Sequence, residues 1–313
     1  MTDTVLICGS VAFDTIAVFE GRFKEQIMAD RIHALSVSFL VPHMRKEYGG
    51  CAGNIAYNLK LLGGHPLPVA AIGEDAADYV EYMRRLGIDT SGLMIVPGSF
   101  TAQCFITTDL DDNQIAAFHP GAMMVSSRNE ASAKPAAWGI VAPDSKEGMF
   151  AHAERLHAQG VPFIFDLGQA MPLFQRADLE RMLSLANVLT VNDYEASVVE
   201  QRIERSIVQI AETLDAAIVT RGAQGAVLYT DGTETPIPAG QADAVVDPTG
   251  CGDAYRAGLL YGCTQGWPWL ESCRLASVMG AIKVASQGPQ NHTPTRADIA
   301  ARLQAEFGLS LPA

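Results

Sequence analysis

The chain is 313 residues long and 48% of it is of hydrophobic type, ample for a packed core and enough for one large α/β domain or two smaller ones. Charged residues make up only 18%, which excludes a disordered or coiled-coil composition. The 22 basic and 35 acidic side chains leave a net charge of −13 with no basic run or stripe, so neither nucleic acid nor an anionic membrane surface is an expected partner.

The N-terminal stretch MTDTVLICGS carries Asp3 and no cationic region, so it does not read as a secretory signal. No segment is long and apolar enough to span a bilayer. The cysteines at 8, 51, 104, 251, 263 and 273 form no C-x-x-C pair and no zinc spacing. They read as reduced thiols of a cytoplasmic enzyme, most of them small core hydrophobes.

Apolar runs bounded by Gly, Asp or Pro then recur at 5–11, 67–73, 137–143, 161–168, 187–193 and 216–222. Continuous rather than alternating apolar character suits strands buried on both faces. Helical patterns lie between them, as at 74–87 and 147–160, and both end in glycine. The alternation predicts a parallel doubly wound sheet. Residues 13–48 and 99–122 break the rhythm with shorter alternations, the second carrying the turn cluster DLDDNQ at 109–114.

The expected fold is therefore α/β, a single domain over 1–313. A parallel-sheet core flanked by helices carries a small antiparallel β lid, formed by about 14–47 and 98–121. Ligands in such sheets bind at the C-terminal strand ends, where a lid excludes water. An ordinary β excrescence or a dimerisation sheet gives the same pattern, so monomer and homodimer both stand as expectations.

The stretch DPTGCGDAYRAG at 247–258 carries the clearest chemistry. A helical pattern runs from it to about Gly266. Gly250 and Gly252 let the backbone approach a ligand closely. Amides at a helix start lack intrahelical partners and converge on an anion, helped by the helix dipole. Asp253 is either a first-turn acid of the kind helix starts favour, or a base aimed at a substrate hydroxyl beside an anion hole for a transferring phosphate. A helix N-terminus lowers a carboxylate's pKa and weakens it as a base. The loose transition state of phosphoryl transfer softens that objection. No G-x-x-x-x-G-K-[ST] occurs, which excludes a P-loop kinase. A dinucleotide fingerprint would need a third glycine where Tyr255 stands.

DPTGCGDAYRAG resembles the C-terminal signature of the ribokinase family, the PfkB-type carbohydrate and nucleoside kinases. YGGCAGNIAYNLKLLGG (48–64) resembles the family's N-terminal signature, VTRGAQGAVL (219–228) its nucleotide-binding segment and VNDYE (191–195) its Asn-x-x-Glu motif. The four motifs stand in family order over most of the chain.

The resemblance implies a ribokinase-like core with a β lid and an ATP-dependent kinase. It implies Asp253 as catalytic base, and Gly250, Cys251 and Gly252 as the backbone anion hole. Asn192, Thr220, Gly222 and Gly225 would hold the nucleotide, and Glu195 would hold Mg²⁺ through water, as oxygen ligands suit that ion. Asp14, Gly49, Gly50 and Asn54 would hold the acceptor's sugar hydroxyls. Many family members also take a monovalent cation, and K⁺ is expected near Asp247 and the 285–289 segment.

Cys251 stands where the family more often has Ala, and a thiol at a helix N-terminus is either acidic or a small buried side chain. Pro248 and Arg256 look closer to adenosine- and nucleoside-type members than to sugar kinases. Arg256 lies three residues from Asp253 on roughly the same helix face, as a phosphate contact or a plain surface ion pair.

The acceptor rests on the lid segments. A nucleobase needs an apolar slot that a free sugar does not. Phe13, Cys104, Phe105, Phe118 and Met123 offer one, and lid core is the alternative for each. The expected reaction is transfer to the 5′-hydroxyl of a purine nucleoside such as adenosine, inosine or guanosine. A free pentose or hexose is the second expectation. A non-catalytic nucleoside sensor is a third, which the intact Asp253 and its flanking glycines argue against.

Overall fold

The computed structural model describes residues 3–27, 37–111 and 113–312. Part of the first predicted lid segment, 28–36, and Asp112 of the turn cluster lie outside the described residues.

In chain order the first elements are β1 (Thr4–Cys8), β2 (Ala12–Val18), α1 (Phe23–Gln26), β3 (His43–Gly49), α2 (Cys51–Leu61) and β4 (His65–Ile72). Next come α3 (Ala77–Arg85), β5 (Leu93–Ile95), β6 (Ala102–Thr108), β7 (Gln114–His119), β8 (Trp138–Val141) and α4 (Lys146–Ala158). The middle of the chain adds β9 (Phe163–Asp166), α5 (Arg176–Leu185), β10 (Val188–Asn192), α6 (Asp193–Ile203), α7 (Ile207–Ala211) and β11 (Ala216–Thr220). The last elements are β12 (Ala226–Thr230), β13 (Thr233–Ile237), α8 (Cys251–Thr264), α9 (Trp269–Val284) and α10 (Arg296–Phe307).

The large sheet runs β13-β12-β11-β10-β9-β8-β1-β4-β5. All pairings from β11 through β5 are parallel, as the apolar runs predict. Two features go beyond that reading. The short β5 extends one edge, and an antiparallel hairpin, β12–β13, closes the other. Apolar strands bury both faces. Val5 and Ile7 point into one cluster with Ile55, Leu59, Leu259 and Met279. Leu6 and Cys8 point into the other with Met149, Phe165, Leu179 and Val199. Helices therefore cover both faces of the sheet.

The small sheet runs β3-β2-β6-β7. Its outer pairs are antiparallel, and its central pair, β2–β6, is parallel. The reason lies in the connections. β2 follows β1 and β6 follows β5, and β1 and β5 both run parallel to β4. Both excursions thus leave the same edge of the core in the same sense. β3 returns to that edge at Gly49, and Gly50 opens α2 with φ 83°, a left-handed backbone. A Cβ on Gly50 would lie 2.6 Å from Ser10 O and Ala12 N, so only glycine passes there.

Candidate active site

Helix α8 begins at the edge where the parallel strands end. Its N-cap, Gly250, is left-handed at φ 80°. The Cys251 amide donates to Pro248 O at 3.1 Å, so that member of the expected anion hole is already engaged in the turn. The next two amides, of Gly252 and Asp253, have no acceptor among the described residues. They are the donors this helix start offers to an anion. The Cys251 thiol is no acid, since burial pushes it up to about 11.

The Asp253 carboxylate turns back toward α2. Its Oδ2 accepts a 2.8 Å hydrogen bond from Asn54 Nδ2. Asn54 Oδ1 in turn accepts from Gln290 Nε2 at 2.9 Å. Gln290 donates its other Nε2 hydrogen to Tyr79 Oη at 2.6 Å, and Tyr79 donates to Gly49 O at 2.8 Å. A buried polar chain thus runs from the last residue of β3 to the carboxylate. Asn54 keeps one N–H and one lone pair for a further partner.

Burial raises the Asp253 pKa to about 6, the Asn54 hydrogen bond opposes that rise, and the charge of Asp166 adds to it. The helix-terminus argument from sequence predicts the opposite direction. Burial, the largest influence on this carboxylate, acts the other way.

Arg256 is not a surface ion pair. It is 6% exposed and makes a bidentate pair with Asp166 at the end of β9, at 2.9 and 2.8 Å. Its Nη1 also donates to Gly252 O at 3.3 Å. Asp166 is a site residue the sequence reading misses, although it closes an apolar run in the same way Asn192 does.

Asn192 and Glu195 form a reciprocal cap at the start of α6. Glu195 Oε2 accepts from Asn192 N at 2.8 Å and Oε1 from Asn192 Nδ2 at 2.9 Å. Glu195 N donates to Asn192 Oδ1 at 2.8 Å. Burial raises the Glu195 pKa, with Asp166 adding its charge and Arg256 opposing. Among the described residues no group of three or more His, Cys, Asp or Glu side chains is arranged to hold a metal ion. Mg²⁺ on a nucleotide needs no such cage, because it keeps several waters and takes one or two carboxylates beside phosphate oxygens. The donor set of Glu195, with lone pairs left for water, fits that use.

Thr220 sits across from Asn192 on β11, and its hydroxyl donates to Val191 O at 3.4 Å. Gly222 and Gly225 bracket the tight turn into β12, both left-handed, at φ 54° and 84°. A Cβ on Gly225 would lie 2.1 Å from Ile237 O, whereas the space around Gly222 is open.

On the small sheet, Asp14 pairs across with Glu47 and with Cys104. A Cβ on Gly49 would lie 2.6 Å from Asp14 Oδ2, so the glycine leaves room for that carboxylate. Burial, with the charges of Glu47 and Asp247, raises the Asp14 pKa to about 6.

The aromatic slot divides. Phe118 pairs with Cys104 and so shares a face with Asp14, half exposed. Phe105 pairs with Thr15 and Ala117 and faces the other way. Phe13 is buried against Tyr48 and Tyr79 and is packing. Met123 is half-buried in the 3-10 segment Gly121–Arg128, which packs on β4 and α4.

Asp247 lies in the loop before α8. Its Oδ1 accepts from Thr249 N at 2.9 Å and its Oδ2 from Gly288 N at 2.8 Å. Its backbone oxygen accepts from Lys283 Nζ at 2.8 Å. That lysine, Gln290 and Tyr79 carry no motif signal, because their partners are distant in sequence or are backbone atoms.

A separate cavity of about 370 Å³, lined by Asp3, Lys60, His65 and Asp89, lies where β1 and β4 begin, away from these groups. All six cysteines are free thiols. No helix among the described residues is long and apolar enough to cross a membrane.

A family model described as pfkB family carbohydrate kinase matches residues 10–296. The chain is similar to a nucleoside kinase of Methanocaldococcus jannaschii, 31% identical over 86% of this chain and 89% of that one. It is also similar to a Burkholderia thailandensis nucleoside kinase solved in complex with inosine, at 50% identity and TM-score 0.88, over 99% of this chain and 100% of that one. The same relative in complex with ADP-inosine superposes with TM-score 0.86, at 50% identity, over 99% of this chain and 98% of that one.

Proposed function

The chain belongs to the pfkB family of carbohydrate kinases and is an ATP-dependent kinase, and from that premise we propose that its acceptor is the 5′-hydroxyl of a purine nucleoside such as adenosine, inosine or guanosine. The observation that carries the chemistry is the Asp253 carboxylate, held by Asn54 beside the unpartnered amides of Gly252 and Asp253. A hydroxyl-activating group and an anion receptor then lie within two residues of each other. The nucleoside assignment rests on the similarity to the inosine-bound relative and on the half-exposed Phe118, which shares a face with Asp14.

In this reading Asp14, with Gly49 and Gly50 beside it, grips the ribose hydroxyls, and the spare N–H of Asn54 joins them. The small sheet acts as the lid and keeps water from the reacting centre. Asp253 orients the 5′-hydroxyl and takes its proton as the hydroxyl oxygen bonds to the γ-phosphorus of ATP. The bond from that phosphorus to the ADP oxygen breaks, and the Gly252 and Asp253 amides receive the charge on the transferring group. Asn192, Thr220, Gly222 and Gly225 would hold the nucleotide, and Glu195 would hold Mg²⁺ through water. Magnesium, when bound, neutralises phosphate charge.

The test is ADP release with MgATP against adenosine, inosine, guanosine, cytidine, ribose, fructose and fructose 6-phosphate. Turnover with the purine nucleosides and little with free sugars is the expected result. Turnover confined to a sugar would overturn the acceptor while leaving the kinase chemistry in place.

A further inference from the structure

Lys283, in the last turn of α9, is completely buried. A buried ammonium persists only where oxygen atoms replace its water. Here they are backbone carbonyls from two loops: Asp247 O at 2.8 Å and Ser286 O at 3.0 Å. Those loops are tied together around it. Val246 N and Asp247 N both donate to Val284 O, at 2.8 and 3.1 Å. Gly288 N reaches Asp247 Oδ2, and Pro289 packs against Gly250, where a Cβ would come within 2.9 Å of it.

The first loop leads directly into α8, and the second leads to Gln290, which holds Asn54. The ammonium therefore sits behind both the anion-receiving amides and the carboxylate.

Converging backbone carbonyls beside one carboxylate are what a weakly hydrated monovalent cation takes as ligands. The resemblance leads to K⁺ at this place, near Asp247 and 285–289. The residues present do not fit it, because the carbonyl oxygens of Asp247 and Ser286 already accept from a fixed positive charge. A second cation within a few ångströms would meet direct repulsion in a buried setting.

We propose that Lys283 is a built-in monovalent cation, a positioning residue whose ammonium holds the 247–250 turn and so sets the Gly252 and Asp253 amides, making turnover independent of added K⁺. The proposal rests on the anion-hole reading of α8.

The first arm of the test needs no variant. Replacing KCl by tetramethylammonium chloride at constant ionic strength should leave the wild-type kcat unchanged within about twofold. The second arm is Lys283→Ala, which should lower kcat about tenfold or more, with KM for the nucleoside within about threefold. NH₄⁺, K⁺ or methylammonium should restore much of that loss, a rescue that a purely structural lysine would not show. Lys283→Met, which fills the space without charge, should lose kcat likewise and resist rescue.

Strong activation of the wild type by K⁺ overturns the proposal. So does a folded Lys283→Ala that is fully active in tetramethylammonium, or one that no small cation restores. Should both variants fail to fold, the wild-type ion swap still decides. A wild type that releases ADP with no acceptor of the panel speaks against the proposed function. A wild type that turns over but requires K⁺ speaks against Lys283 alone.

Discussion

Asn54 and Asp253, 199 residues apart in sequence, meet through a 2.8 Å hydrogen bond from the amide nitrogen to the carboxylate. The bond joins α2 to α8 at the candidate site, and it favours the ionised carboxylate over the protonated one.

Removing that bond should move the acid limb of activity. In Asn54→Leu the Asp253 carboxylate keeps its burial and loses its donor, so the acid limb of kcat should rise by about one to two pH units, given about 1.5–3 kcal/mol for a hydrogen bond to a charged group. Gln290→Leu, which frees Asn54 to rotate, should move the limb in the same direction by less. A limb that stays at its wild-type position in both variants would show that the amide does not act on the carboxylate.

Asp253→Asn keeps the shape and removes the proposed base. Turnover should fall by about 10²–10⁴-fold, while nucleoside binding measured by calorimetry stays close to wild type. Near-normal turnover would remove Asp253 from the mechanism.

Asp14 and Asp253 share a pKa of about 6, so activity and stability should respond to pH in opposite directions. Below pH 6 both lose the charge that, in the proposed mechanism, grips and activates hydroxyls, and kcat/KM should fall. The folded-state values lie above those of the unfolded chain, so between about pH 4 and 6 the folded state binds more protons. Its stability contribution from these groups is present at low pH and is lost as pH rises through about 6. Thermal unfolding at neutral pH should accordingly find Asp253→Asn at least as stable as wild type. A marked loss of stability would contradict the strain assigned to this carboxylate.

The buried Arg256–Asp166 pair should behave as a unit. Arg256→Met leaves Asp166 uncompensated near Glu195 and Asp253, and urea unfolding should show a loss of about 3–5 kcal/mol. Arg256→Met with Asp166→Leu should recover most of it, since well-packed apolar replacements of buried pairs are often neutral. Activity should not return with it. A double variant no more stable than the single would show that the pair is not coupled.

How much of this was legible in the sequence follows from the range of each interaction. The parallel core was legible because double-sided burial writes unbroken apolar runs such as LPVAAIG. The β12–β13 hairpin was not. TETPI at 233–237 reads as a polar loop with a proline, which only an edge strand accommodates. Alternation separates Phe105 from its neighbours, yet its face depends on register across strands, and a one-residue slip reverses it. The glycines around Asp253 marked a close backbone approach. The burial of Arg256 was not legible because Asp166, 90 residues away, leaves no local trace. Lys283 was invisible as a ligand because its partners are carbonyls, which every residue possesses.

The four strands of the small sheet all meet the core along one row. Gly49 pairs with Ala12, Ala12 with Ala102, and His119 with Gln103 one step on. In the proposed lid reading such a row would serve as a hinge with its pins along a single line, giving the sheet one axis of swing. Asp14 is two residues from that line and Val18 six, or about 7 and 20 Å at 3.3 Å per residue. One angle of swing carries the free edge about three times as far as the carboxylate. On that reading the panel would sweep solvent away at its rim while Asp14 moves little.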